Sequence, residues 1–155
     1  MAKNRRIDRA EREPDLGMLA ARLLWPIEEE LFARLAECGH EQVRPRHGAL
    51  LAYLDEIGTR PTELARITGQ HKQVVGRVLD ELEDLGYARR EPDPTDRRSK
   101  LVVLTERGRD EQVQADRILA DIEARHEARI GTGRYRHFRT LLQELVQPTR
   151  NTHGP

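Results

Sequence analysis

The sequence has little cysteine and no long apolar run. Cys38 is the one cysteine among 155 residues, which excludes a disulfide framework and most cysteine-based metal sites and suits a reducing compartment. No apolar stretch approaches the roughly 20 residues of a membrane span. Residues 1–14 are charged throughout and lack the apolar core of a secretory signal. These absences predict a cytoplasmic protein with no membrane partner.

Enzyme signatures are also missing from the sequence. It holds no recognisable Ser-His-Asp set, no glycine-rich phosphate loop and no paired carboxylates at a plausible cleft. The acidic run at residues 28–30 is explained more simply as a solvated helix face, and none of the six histidines falls in a tight metal-ligand spacing. We therefore expect a protein that is not an enzyme and needs no metal or cofactor.

The net charge is zero, but the charges are unevenly distributed. Residues 71–79 hold two bases and no acid, residues 80–85 hold four acids, and residues 89–100 hold five bases against three acids. A neutral chain organised in this way can still present a positive face to phosphates. Its distribution of charge is therefore compatible with a nucleic-acid partner.

Apolar periodicity predicts six helices. The first helix ends at Gly39 and is expected to be kinked or locally broken at Pro26. The third helix is capped by Thr59 or Thr62. Thr105 caps the fifth helix. Ile57 and Val113 are among the side chains expected to face inward. The predicted spans are residues 15–38, 45–57, 61–67, 71–85, 105–130 and 134–146.

A β-hairpin is predicted between the fourth and fifth helices. Residues 87–90 and 100–104 suit strands, and the prolines and aspartates of residues 92–96 suit the loop between them. Asp96, Arg97 and Arg98 lie at the hairpin tip, where the carboxylate can brace an arginine for entry into a narrow DNA groove. Helices three and four are joined by the short turn 68–70, which contains Gly69. The predicted fold is mainly α with a small β-hairpin wing, a winged helix-turn-helix.

At this point the residues resemble a known family. The stretches are Thr62-Glu63-Leu64-Ala65, Leu79-Asp80-Glu81-Leu82-Glu83 with Gly86-Tyr87, Asp93-Pro94-Thr95-Asp96-Arg97-Arg98-Ser99-Lys100, and Leu104-Thr105-Glu106-Arg107-Gly108. Together they are similar to the MarR family of bacterial winged helix-turn-helix transcriptional regulators. The last two stretches are the most specific.

The resemblance implies a homodimer that binds pseudo-palindromic double-stranded DNA, often as a repressor released by a small aromatic or phenolic ligand. It implies that Arg98 enters the minor groove, with Asp96 as its bracing partner, and that the fourth helix enters the major groove. The apolar stripes of the first and the last two helices also exceed what one small core can absorb, which favours a dimer interface.

These expectations divide the chain into parts. Residues 1–14 form an arm, residues 15–146 the family domain, and residues 147–155 a tail. Within the domain, residues 45–108 form the winged helix-turn-helix, and residues 15–39 and 105–146 form the dimerisation helices.

The expected DNA contacts lie on the fourth helix and on the hairpin. Gln73 pairs with adenine and Arg77 with guanine, whereas Lys72 contacts a phosphate. Gly76 leaves room for the helix backbone to approach DNA. The complete set is His71, Lys72, Gln73, Gly76, Arg77, Asp96, Arg97, Arg98 and Lys100. His71 departs from the family pattern, which has Ser or Thr there, and its role stays open between cap and DNA contact.

A ligand pocket is less clearly marked. Arg44, Arg46 and His47 gather at the start of the second helix, where cations and the helix dipole can hold a carboxylate, and Trp25 can form the wall of an aromatic pocket. For each of the four, an ordinary surface or core role remains the alternative. For Cys38, a structural thiol is favoured over an oxidant sensor.

Three functional alternatives remain open. The protein is a ligand-responsive repressor, a DNA-binding regulator without ligand response or an activator, or a protein-interaction module on a winged-helix scaffold. The arginine at the hairpin tip and the acid-free start of the fourth helix argue against the last.

Overall fold

The computed structural model describes residues 13–146. Most of the proposed arm and all of the proposed tail lie outside these residues. The chain divides into two compact units, one ending at Ile118 and one beginning at Leu119. No helix in the described part is both long and apolar enough to span a membrane.

Helix α1 runs over Leu16–Leu35 and begins at a side-chain cap, since the Asp15 carboxylate accepts a hydrogen bond from the Met18 N–H (2.8 Å). The helix continues through Pro26, so of the two predicted outcomes there, a kink or a local break, the break is wrong. Pro26 is exposed, and water can therefore satisfy the carbonyl that loses its helical partner. A π-helical segment, Ala36–His40, follows. Gly39, near its end, has a left-handed φ of +93° and leaves the helical conformation.

Helix α2 covers Pro45–Leu51 and is shorter than the pattern predicts. A turn ends it, in which the Asp55 carboxylate accepts a hydrogen bond from the Gly58 N–H (2.8 Å) and Gly58 has a φ of +92°. Ile57 lies in this turn and is 84% exposed. The prediction that it faces inward is therefore wrong.

Helices α3 (Pro61–Thr68) and α4 (Lys72–Asp84) form the helix-turn-helix. Gly69 adopts the left-handed conformation between them. Neither Thr59 nor Thr62 caps α3, which starts after Arg60 with no side-chain cap. His71 precedes α4 and also forms no cap hydrogen bond. The predicted inner face of α4 is buried through Val75, Val78, Leu79 and Leu82.

Strands β1 (Ala88–Asp93) and β2 (Asp96–Leu104) form the antiparallel hairpin. Both are longer than predicted, because residues expected in the loop continue the ladder and only Pro94 and Thr95 form the turn. Pro92 is tolerated because a two-stranded sheet has only edge strands. Thr59 adds an isolated bridge to Val102, with hydrogen bonds of 2.9 Å in both directions.

Helix α5 covers Glu106–Ile130 and helix α6 covers Thr132–Val146. Thr105 caps α5 as predicted, since its Oγ1 accepts a hydrogen bond from the Gly108 N–H (3.1 Å). Val113 is 48% exposed, so the expectation that it faces inward is wrong, and Glu111 is buried on this helix.

The core of the first unit joins α2, α3, α4 and the hairpin. Its buried side chains are Val43, Leu50, Leu51, Leu54, Leu64, Ala65, Val75, Val78, Leu79, Leu82, Tyr87, Ala88, Val102 and Leu104. This core therefore fixes the helix-turn-helix and the wing to each other.

Candidate nucleic-acid interface

The start of α4 presents the predicted polar face. Lys72, Gln73 and Arg77 are exposed, opposite the buried stripe of the same helix. No atom lies within 4 Å of a Cβ built on Gly76, so the backbone there is open to a close approach. His71 is exposed beside them. The five α4-side residues proposed from the sequence therefore share one accessible surface.

A concavity of about 580 Å³ adjoins this surface. Thr62 and Arg66 of α3 line one side, and residues 70–73 line the other. Arg66 is paired with Glu63 through two hydrogen bonds, of 3.0 and 2.5 Å. The polar start of α4 thus lies beside an open groove shared with α3.

The acidic end of α4 is tied to α2 rather than left free. Glu81 Oε2 accepts hydrogen bonds from Arg46 Nε (2.7 Å) and His47 Nε2 (2.8 Å). His47 Nδ1 lies 3.2 Å from the Arg44 N–H and accepts from it, which leaves the proton on Nε2. These bonds lower the pKa of Glu81, with His47 the largest cause and Arg46 the next. The bonds to Glu81 therefore anchor α4 to the start of α2.

Arg90 ties the same end of α4 to the wing. Its guanidinium bonds to Glu83 and, at 2.7 Å, to Asp80, while its main-chain N–H donates to Glu83 (2.8 Å). The sequence did not predict this role of Arg90. The four acids of residues 80–85 gave a signal, since carboxylates near the wing base need cationic partners.

The wing tip contains a register irregularity. Asp93 pairs with Asp96, but Pro92 pairs with Lys100, so residues 97–99 have no partners on β1. Such a bulge redirects side chains away from the regular pleat. Arg98, the arginine proposed for the minor groove, therefore belongs to the bulge.

Asp96 holds the backbone of this bulge. Its carboxylate accepts from the Arg98 N–H (3.0 Å) and from Ser99 Oγ (2.8 Å). The expected brace on the Arg98 guanidinium is not formed. Ser99 is the largest cause that lowers the pKa of Asp96, followed by the Arg98 N–H. Arg98 and Lys100 are exposed, and among the described residues no hydrogen bond or ion pair engages the Arg98 guanidinium.

A second carboxylate supports the tip from β1. Asp93 accepts from the Thr95 N–H (2.8 Å) and Thr95 Oγ1 (2.7 Å), and from Arg60 Nε (2.7 Å). These bonds, those of Thr95 first, lower the pKa of Asp93 to about 2. Sequence reasoning placed Asp93 in the loop and did not single out Arg60.

The motif that follows β2 packs α5 against the wing base. Thr105 Oγ1 donates to the Gly86 carbonyl (2.6 Å). The Arg107 guanidinium lies 4.5 Å from the ring centroid of Tyr87 and donates to the Leu85 carbonyl (2.8 Å). A Cβ on Gly108 would lie 2.2 Å from the Tyr87 carbonyl oxygen. The motif is thus a docking device between α5 and the end of α4.

Three of the four proposed ligand residues have protein partners in this structure. Arg44 donates to the carbonyls of Glu41 (2.6 Å) and Val43 (3.0 Å). Arg46 and His47 donate to Glu81, as described above, and His47 is 2% exposed. Trp25 is largely exposed on α1.

Cys38 is exposed as a free thiol. Nowhere in residues 13–146 do three or more histidine, cysteine, aspartate or glutamate side chains form a group that could hold a metal ion.

Two polar side chains are buried near Tyr87: His40 of the π-helical segment and Glu111 of α5. His40 Nδ1 is 3.0 Å from the Tyr87 hydroxyl, and His40 Nε2 is 3.2 Å from an Asp110 oxygen without the geometry of a hydrogen bond. Glu111 is 2% exposed, and its burial, with a smaller contribution from Asp116, raises its pKa to about 7. The sequence did not single out His40 or Glu111.

Comparison with known proteins identifies the family. An HTH-type transcriptional repressor of Mycobacterium tuberculosis, Rv2887, is 30% identical over 130 residues, which cover 84% of this chain and 92% of the repressor. The family model described as "MarR family" matches residues 42–99. The chain belongs to the MarR family. This family is one of transcriptional regulators rather than enzymes, so the function class predicted from the motifs is confirmed.

Solved structures agree with this assignment. The transcriptional repressor CouR bound to a 23-mer DNA duplex has a TM-score of 0.72 and 26% identity, over 88% of this chain and 96% of CouR. Rv2887 in complex with salicylic acid has a TM-score of 0.62 and 30% identity, over 84% and 96% of the two chains. The predicted winged helix-turn-helix fold is confirmed.

Proposed function

We propose that this MarR-family regulator is a cytoplasmic, homodimeric repressor that binds pseudo-palindromic DNA and is released by a small aromatic ligand. One observation carries the DNA-binding part: the exposed polar start of α4 and the exposed Arg98 in the wing bulge belong to one unit with a common core. A helix and a wing held in this way can reach two grooves of one duplex.

The two DNA-contacting elements have different roles in this proposal. Gln73 and Arg77 read base edges in the major groove, Lys72 contacts a phosphate, and Gly76 lets the backbone approach. Arg98 enters the minor groove, and Lys100 and Arg97 contact phosphates. CouR, a repressor of the same fold, has been solved bound to a 23-mer DNA duplex, which supports DNA binding by this protein.

Homodimer formation is supported by unpartnered apolar side chains. Exposed ones on α1 are Leu16, Leu19, Leu23, Leu24 and Trp25, and exposed ones on α6 are Phe138, Leu141, Leu142, Leu145 and Val146. Patches of this kind mark interaction surfaces. A two-fold dimer would set two α4 helices about 34 Å apart, one turn of DNA.

The ligand proposal is an aromatic acid or its thioester. Solved relatives are Rv2887 with salicylic acid and CouR with p-coumaroyl-CoA. In this chain a ligand carboxylate would compete with Glu81 for Arg46 and His47, since both already donate to one Glu81 oxygen. Loss of that anchor would loosen the end of α4 from α2, while Arg44 and Trp25 are the other two residues proposed for the ligand site.

Selection of binding sites from random duplex DNA tests this proposal. We expect enrichment of an inverted repeat whose half-sites are centred about one helical turn apart. Salicylic acid, added to the complex with the selected duplex, should weaken binding. An Arg46→Met variant keeps the His47 bond to Glu81, so it should still bind the duplex but respond less to the acid.

Two other results would redirect the assignment. Enrichment without any response to aromatic acids favours a regulator that lacks a ligand of this class, and direction of regulation is then decided by transcription assay with and without the protein. Failure to enrich any sequence contradicts the DNA-binding proposal and favours a protein-interaction module on the same scaffold.

A further inference from the structure

We propose that Arg60 and Asp93 are a positioning pair that fixes the wing tip, and with it Arg98, relative to the helix-turn-helix. The pair does not touch DNA itself in this proposal. Its effect on DNA affinity rests on the proposed function, whereas its effect on the wing can be measured in the free protein.

Arg60 occupies the junction between the hairpin and α3. Thr59, directly before it, is bridged to Val102 of β2 by two hydrogen bonds of 2.9 Å, and Pro61, directly after it, begins α3. Its main chain is therefore held on both sides. The Arg60 side chain extends from this fixed point to the opposite strand of the hairpin.

Two guanidinium nitrogens of Arg60 contact Asp93. Nε donates to Asp93 Oδ2 (2.7 Å), and Nη2 lies 2.5 Å from the same oxygen. Nη2 is also 3.2 Å from Thr95 Oγ1. A planar guanidinium can make these contacts at once, whereas the single ammonium of lysine cannot reproduce their geometry.

Asp93 receives the contacts at a position next to both the turn and the bulge. It forms the last ladder pair before the turn, with Asp96, and the bulge of residues 97–99 starts directly beyond that pair. Its residue is 4% exposed, and its second oxygen holds Thr95 through the N–H and Oγ1. A shift of Asp93 would therefore move the turn and the start of the bulge together.

The wing base has its own anchor. Arg90, the third residue of β1, bonds to Asp80 and Glu83 of α4. Two separate ion-pair sites thus hold the hairpin, one at the turn and one in the half of β1 that is farther from it. Loss of the Arg60–Asp93 pair should loosen the tip while leaving the base in place.

A competing role for Arg60 is a direct phosphate contact, because its side chain is 45% exposed. The two roles predict opposite effects for Asp93→Asn. This change leaves every base in place and removes one negative charge, so it should preserve or raise the affinity if Arg60 only attracts phosphate. It should lower the affinity if Asp93 positions the tip.

The first test measures amide hydrogen exchange in the free protein. The variants are Asp93→Asn and Arg60→Lys, and the matched control is Arg109→Met, whose arginine is similarly exposed and pairs with Glu56. We expect exchange of residues 95–99 to rise about tenfold in the first two and not in the control, with α4 unchanged. Unchanged exchange at the tip, or an equal rise throughout α4, would overturn the positioning role.

The second test is a double-mutant cycle on DNA affinity, with the best duplex from random selection as the probe. We expect Asp93→Asn to weaken binding about tenfold. Arg98→Ala should cost about tenfold in the parent but less than about threefold with Asp93→Asn, because the tip no longer presents Arg98. Additive effects, or an affinity raised by Asp93→Asn, would overturn the proposal.

The two tests separate this inference from the proposed function. If the parent protein shows no preference between selected and random duplexes, the proposed function fails. The exchange experiment then still decides whether Arg60 and Asp93 fix the tip.

Discussion

Gly108 determines how closely α5 can approach the end of α4. A Cβ at this position would lie 2.2 Å from the Tyr87 carbonyl oxygen and 2.8 Å from a Leu104 methyl carbon. The neighbouring Arg107 stacks on the Tyr87 ring, so both residues act on the same contact. The family motif around Gly108 is therefore explained by packing, before any role in DNA binding.

We expect Gly108→Ala to lower the free energy of unfolding by about 1–3 kcal/mol, because backbone must move to admit the methyl group. Gly133→Ala is the control, since nothing lies within 4 Å of a Cβ there. It should be neutral or stabilise α6 by up to about 1 kcal/mol. Urea denaturation of the two variants measures this, and equal effects would show that the contact at Tyr87 relaxes freely.

Glu111 gives the protein a predicted pH dependence. Its carboxyl has a pKa of about 7 in the folded protein against an ordinary value of 4.5. The folded state therefore binds this proton more tightly than the unfolded state, and the contribution of Glu111 to stability falls as the pH rises from about 4.5 to 7.

The substitution Glu111→Gln should remove this loss of stability with rising pH. The stability gain over the parent should grow between pH 5 and 7 and level off above 7 at about 3 kcal/mol or less. Denaturation at a series of pH values measures it, with exposed Glu106→Gln as control. A gain that is constant with pH would contradict the raised pKa.

At the scale of elements, helix α4 was the most predictable part. The helical spacing of its apolar residues specified its buried stripe, its exposed start and its end before Gly86. The end of α2 was not predictable in the same way, because the Asp55–Gly58 turn overrides an apolar pattern that continues to Ile57. Local hydrogen bonding decided between two structures that the periodicity allowed.

The wing shows the same limit more sharply. Its strands were located from β-branched residues, but the bulge at residues 97–99 depends on which rungs pair. The contacts of Arg60 with Asp93, and of Arg90 with Glu83, join residues 33 and 7 positions apart. Partner choice over such separations depends on the fold, so the sequence identified the basic residues without their partners.

The two ends of the α4 polar face should respond differently to substitution. Arg77→Ala should cost roughly 1–3 kcal/mol of affinity and relax the preference for the selected site. Lys72→Ala should weaken selected and random duplexes alike and flatten the salt dependence by about one unit of slope. Anisotropy titrations on both duplexes measure these effects, and equal losses for Arg77→Ala on the two duplexes would refute base reading.

At the scale of the whole molecule, net charge is a poor guide and its distribution a good one. The charges of the 27 basic and 27 acidic residues cancel. Four of the acids, however, form ion pairs that hold α4 and the wing: Asp80, Glu81, Glu83 and Asp93. Four of the basic side chains proposed for DNA contact, Lys72, Arg77, Arg98 and Lys100, are exposed. A neutral chain can therefore carry a surface suited to phosphates.

The family could be predicted from the sequence because the residues of the family motifs are needed for packing. Thr105, Arg107 and Gly108 dock α5 against the end of α4, and Asp96 shapes the bulge. The proposed dimer and the proposed ligand site require contacts with a second copy of the chain or with a small molecule, and no pattern within one sequence specifies those contacts.

The most direct test of the central claim is fluorescence anisotropy on the DNA upstream of the protein's own gene, with a random duplex in parallel across a salt series. The account predicts salt-sensitive binding that prefers the upstream duplex and falls about tenfold or more with Arg98→Ala. Binding that is equal on both duplexes and unchanged by Arg98→Ala would contradict it.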